Sequence, residues 1–117
     1  MFRKQVVLAP MCLTFIALTA CASPYDRAEI LRSTPLGSDY QQVLSFCSSK
    51  HLKCHGSKTS GYLNQDTNRT VGVQSVWGVV QESKAIPFFQ TTTEAFWGFD
   101  ANGKLIDVWV WKTNDSL

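Results

Sequence analysis

Residues 91–112 read TTTEAFWGFDANGKLIDVWVWK, and they decide the fold. Thr91 to Phe99 and Lys104 to Lys112 are rich in β-branched and aromatic residues, as strands are. Asp100-Ala101-Asn102-Gly103 lies between them. Asp at the first position, Asn at the third and Gly at the fourth suit a type I turn closed by a left-handed glycine, the three-residue hairpin with a G1 bulge. An uninterrupted register then sets Phe99 opposite Leu105, Trp97 opposite Asp107 and Phe96 opposite Val108. One face carries Phe96, Ile106, Val108 and Val110, with Gly98 leaving room beside Ile106. The other carries Trp97, Phe99, Leu105, Trp109 and Trp111, with Asp107 among them. A sheet backed by one helical layer is expected to have one apolar and one polar face, yet both are apolar here. Either the segment Gly56 to Thr70 folds over the second face, or that face meets a partner. We expect Trp97 to be structural, and Trp109 and Trp111 to be partly exposed and partner-binding.

Outward from the hairpin, Val71 to Gln81 is valine-rich and reads as a strand, with a bulge expected near Ser75 where the alternation slips. Ser83 to Phe89, which contains Pro87, reads as a connection. Gly56 to Thr70 reads as loop, with pairing around Tyr62 and Leu63, and Leu52 to His55 as a short strand. Tyr40, Val43, Leu44 and Cys47 recur at helical spacing, predicting a helix over Asp39 to Ser48. Ser38 is its expected N-cap, with Gln41 completing a capping box. Asp26 to Arg32 predicts a brief helix, ended by Thr34-Pro35-Leu36-Gly37. The class is α+β: one or two N-terminal helices packed on a three- or four-stranded antiparallel sheet that ends in a C-terminal hairpin. Residues 27–117 form its single domain.

The first twenty residues have a different composition. Arg3 and Lys4 precede fifteen uncharged residues, Val6 to Ala20. That run is shorter than the roughly 20 residues of a spanning helix, and Pro10 interrupts it, so residues 1–20 read as a removable signal. Leu18-Thr19-Ala20-Cys21 resembles the bacterial lipobox. That resemblance implies cleavage before Cys21, a diacylglycerol thioether on its sulfur and an acylated amino group. Several acyl chains make a stable anchor, whereas one makes a marginal one. Residues 21–26 become the lipidated tether, and Ala22 after the cysteine implies the outer membrane, facing the periplasm. Loss of Arg3 and Lys4 leaves nine basic residues against nine acidic ones, which argues against a nucleic-acid surface.

Cys12 leaves with the signal and Cys21 takes the lipid, so Cys47 and Cys54 remain as a pair. In an exported protein such a pair is expected to form a disulfide. His51 and His55 interleave with them, but four ligands within nine residues rarely surround one ion, and we expect no metal. Gly98 to Lys104 spells most of a P-loop, but Leu105 stands where Ser or Thr should hold magnesium, and the segment closes a hairpin instead of opening a helix. Asp100 to Gly103 resembles the start of a calcium loop, yet its twelfth position is Trp111, not glutamate. No catalytic constellation emerges and no cofactor is implied.

The order tether, helix, Gly-Ser turn, amphipathic helix and strands ending in F-D-x-N-G-K-L resembles small outer-membrane lipoproteins of the SmpA/OmlA (BamE) type. Pro35-Leu36-Gly37-Ser38 with Val43, and Phe99 to Leu105, carry the resemblance. It implies a two-layer α+β fold and a role in outer-membrane protein assembly. The chain departs from that family after its second helix, where Ser45-Phe46-Cys47-Ser48 replaces a Leu-Gly-x-Pro turn. The expected function is a non-catalytic, lipid-anchored periplasmic module that binds a protein partner or supports envelope integrity. The alternative is a periplasmic immunity or inhibitor lipoprotein acting against a toxin or hydrolase. Cys21→Ser should accumulate as an unacylated precursor at the inner membrane. Metabolic lipid label retained on that variant would overturn the assignment.

Overall fold

A computed structural model of the chain describes residues 25–86 and 89–116. Residues 1–24, with Cys12 and the expected lipid site Cys21, lie outside the described residues, as does Pro87. The turn at Asp100 forms as its chemistry dictates. Gly103 is left-handed at φ 77°, and its N–H donates to the Asp100 carbonyl at 3.0 Å. The Asp100 carboxylate accepts from the N–H groups of Asn102 at 2.9 Å and Lys104 at 3.0 Å. This local clamp needs nothing from the rest of the chain.

The elements in order are α1 (Arg27–Ser33), α2 (Tyr40–Ser49), β1 (Cys54–Ser57), β2 (Tyr62–Asn64), β3 (Arg69–Val71), β4 (Gln74–Ile86), β5 (Phe89–Phe99) and β6 (Leu105–Ser116). Strands β1-β4-β5-β6 make one antiparallel sheet, and β2-β3 make a separate two-stranded arm. Both helices pack on one face of the larger sheet, so the fold is α+β as expected. Its core joins Ile30, Val43 and Cys47 of the helices to Val76, Val80, Ala95, Trp97, Phe99, Leu105 and Val108 of the sheet.

The hairpin register departs from the uninterrupted one. Phe99 faces Leu105, but Gly98 then faces Asp107, Trp97 faces Val108 and Phe96 faces Trp109. Ile106 is the extra residue of a β-bulge, turned outward and 45% exposed. A side chain of α1 holds it in place. Arg27 Nε donates to the Val108 carbonyl at 2.9 Å, and its Nη2 pairs with Asp107 at 2.7 Å. Asp107 Oδ1 in turn accepts from the Val108 N–H at 2.8 Å. The outward backbone groups of Val108, on an edge strand, are thereby satisfied by side chains. One result corrects the expected grouping: Trp97 lies on the helical face, and Trp109 and Trp111 lie on the opposite one.

Trp97 is fully buried, and its indole N–H donates to Thr34 Oγ at 3.0 Å. The Thr34 hydroxyl donates in turn to the Ile30 carbonyl at 2.7 Å, so the buried polar atoms there are paired. Phe46 meets Trp97 edge-on at 6.2 Å, and Tyr40 meets Phe99 at 5.3 Å.

Other boundaries move for identifiable reasons. The N-cap of α2 is Asp39, with the Gln42 side chain accepting from its N–H at 2.6 Å. Ser38 cannot turn into the helix because its carbonyl accepts from Leu105 N–H at 2.8 Å, holding it beside the hairpin. The valine-rich stretch is two elements, broken at Gly72 (φ 76°), where a Cβ would stand 2.6 Å from the Phe99 carbonyl oxygen. The bulge expected near Ser75 falls instead at Val80. Ser83 to Phe89 is not a long connection either: β4 runs to Ile86 and β5 starts at Phe89. The β-branched run Thr91, Thr92, Thr93 sustains pairing on both sides, to Ser83, Glu82 and Gln81 and to Asn114, Thr113 and Lys112.

Helix α2 ends in a Schellman motif. Leu52 N–H donates to the Cys47 carbonyl at 2.8 Å and His51 N–H to that of Ser48 at 3.1 Å, with His51 left-handed at φ 57°. The Cys47–Cys54 disulfide spans this turn with Cα atoms 6.2 Å apart and ties β1 to the helical layer. Gly78 makes room for it, since a Cβ there would approach Cys54 Sγ to 2.8 Å. Reduction should lower the unfolding free energy by about 2–3 kcal/mol, read from urea melts with and without reductant. Unchanged midpoints would mean that packing alone holds β1.

Candidate functional site

The sheet face away from the helices carries an aromatic row. His55 of β1, Trp77 of β4, Phe96 of β5 and Trp109 of β6 are directly opposite one another on successive strands. Their rings are spaced 4.8, 6.4 and 4.9 Å apart across the sheet. Trp111, two residues along β6, stacks on Trp109 at 5.4 Å. Cross-strand aromatic pairs of this kind are a principal source of sheet stability, and each ring restricts its neighbour.

The β2-β3 arm folds over one part of the row. Tyr62 lies 5.7 Å from Phe96 and 6.2 Å from Trp109, ring to ring. It reaches the sheet because Gly98 has no side chain: a Cβ there would stand 3.0 Å from Tyr62 Cε1 and 2.8 Å from Val71 Cγ1. Asp66 accepts from Trp109 Nε1 at 2.9 Å, and Ser75 Oγ donates to the Ser60 carbonyl at 2.9 Å. The Tyr62 hydroxyl is buried without a hydrogen-bond partner among the described residues. Burial, helped by the Asp107 carboxylate, pushes its pKa far above the usual phenol value, so it stays neutral at physiological pH.

The arm leaves the ends of the row open. Trp77 is 41% exposed, and Trp111 is half-buried. Between the arm and β1/β4 runs a cleft of about 360 Å³, lined by Ser57, Ser60, Gln65, Trp77 and Phe96 among others. Its polar lining is uncharged.

The expected partner-binding pair is therefore split. Trp109 is only 7% exposed and belongs under the arm, which corrects the expectation that it is open, whereas Trp111 remains accessible. Trp77, the most exposed tryptophan of the row, was not singled out from sequence. Its alternation with Val76 marked it as facing away from that valine, but only the pairing with Phe96 reveals the row. Of the two histidines, His51 closes the end of α2 and His55 meets Trp77 at a tilt, and the two cysteines beside them are joined to each other.

Trp97→Ala and Trp109→Ala should each cost about 3–5 kcal/mol. Trp111→Ala and Trp77→Ala should cost less, within about 1 kcal/mol. Tyr62→Phe should be neutral or stabilising by up to about 1 kcal/mol, because it removes an uncompensated buried hydroxyl. Urea melts of the five variants check this, and equal losses at all four tryptophans would make the whole row core. No protein-family model matches the chain, and no curated protein or solved structure is significantly similar to it, so its function rests on these contacts.

Proposed function

We propose that this chain is an exported, lipid-anchored and non-catalytic module that binds a protein partner through the open ends of its aromatic row. The observation that carries this is Trp77, 41% exposed in the middle of a sheet and flanked by His55 and Phe96. A Trp held in place by its neighbours loses little conformational freedom on binding, and Trp is enriched among residues that dominate interface energetics. Trp111 supplies a second accessible indole beyond the arm. The Cys47–Cys54 bond suits an oxidising compartment, Leu18 to Cys21 supports a lipid anchor, and Ala22 supports its place at the outer membrane, facing the periplasm.

A photo-cross-linking residue placed in turn at Trp77, Trp111 and, as a control on α1, Arg32 tests the docking face in intact cells. A discrete protein adduct from the first two positions and none from Arg32 is expected. Adducts independent of position, or none from Trp77 and Trp111, would contradict the proposal.

A further inference from the structure

We propose that the disulfide-closed turn after α2, carrying Lys50, His51 and Lys53, is a contact surface for anionic phospholipid headgroups. The inference rests on the lipid-anchor reading of Cys21 and adds which side of the domain lies on the bilayer.

Chain length is the first ground. Four peptide units separate Cys21 from Tyr25, a reach of at most about 14 Å even when fully extended. Tyr25 packs against the core, and it lines a cleft of about 210 Å³ together with Ile30, Phe46 and Lys50. The tether therefore enters on the helical layer, beside the C-terminal end of α2. A lipid held so close to that end brings the turn to the headgroups and leaves the aromatic row facing away from the bilayer.

Charge is the second ground. Lys50, His51 and Lys53 are exposed. The ion pairs among the described residues are Arg27–Asp107, Arg32–Glu29 and Lys104–Asp39, so neither lysine of the turn is in one. Of the acidic residues beside the tether, Asp26 caps α1, and Glu29, which lines the same cleft as Lys50, pairs with Arg32. Basic side chains at a membrane surface are attracted to anionic lipids within about a Debye length.

The third ground is rigidity. The turn is closed by the Cys47–Cys54 bond and by the Schellman hydrogen bonds, with His51 held at φ 57°, where glycine would be cheaper. Its two lysines are presented on a fixed frame.

Lysine footprinting of the full acylated protein in vesicles tests this. An amine-acetylating reagent is applied to protein in phosphatidylcholine vesicles with and without phosphatidylglycerol. Lys58 and Lys104 serve as references, since they flank the other end of α2, about 15 Å away for a ten-residue helix. Phosphatidylglycerol should slow modification of Lys50 and Lys53 by about fivefold or more without affecting the references. Protection should vanish in about 0.5 M salt, where screening shortens the field to a few ångströms. Equal rates in both vesicles would overturn the inference and leave these lysines as ordinary partners of a helix C-terminus. Intact mass separates the two readings: purified protein without acyl mass on Cys21 would overturn the anchor, and the inference with it.

Discussion

The one-residue bulge at Ile106 is the constraint from which the rest of this structure follows. Strand residues three apart point to opposite faces in an unbroken ladder, so Leu105 and Val108 could not both enter the helical core without it. With Ile106 turned out, both are buried, and both pack with Trp97 and Phe99. The same step puts Trp109 opposite Phe96, and Asp107 opposite Gly98, over which Tyr62 lies. A one-residue slip flips every side chain beyond it. One bulge thus sorts the three tryptophans of the hairpin into Trp97 on the helical face and the pair Trp109 and Trp111 on the opposite one.

What was legible in the sequence was local. Asp-x-Asn-Gly carries its own turn, and the apolar spacing of Tyr40 to Cys47 carries its own helix. The bulge was not legible, because its stabilising partner, Arg27, is 81 residues from Val108. The cap of α2 was misread by one residue for a similar reason: Ser38 is held by Leu105, across the fold. Gly72 and Val73, which lie between β3 and β4, disguised two elements as one valine-rich strand. The site was half legible. Excess apolar surface on the hairpin signalled a second face, and the polar segment Gly56 to Thr70 was one of its two expected covers. Trp77 was missed because its place depends on pairing with β5, which no local pattern encodes.

The two sides of the sheet divide the labour. The helical side binds the chain to itself, through the core, the Cys47–Cys54 bond and the Arg27–Asp107 pair. The other side is covered where the β2-β3 arm reaches, through Tyr62, Asp66 and Val71, and Trp77 and Trp111 flank that cover. On the proposed reading, a lipid on Cys21 would hold the helical side toward the bilayer and turn the aromatic row toward soluble partners, and anchoring and docking would use opposite faces of one small sheet.

All of this requires Trp97 and Trp109 to lie on opposite faces, and nuclear Overhauser contacts test that directly. Neither backbone polar group of Val108 bonds to β5, since Asp107 and Arg27 take them, so Trp97 and Val108 are a non-hydrogen-bonded pair with close Cα atoms. A strong Hα–Hα contact between Trp97 and Val108 is predicted, with the Trp97 indole proton near Thr34 and that of Trp109 near Asp66. An Hα contact joining Trp97 to Asp107 instead, with the Trp97 and Trp109 indoles on one face, would contradict the account.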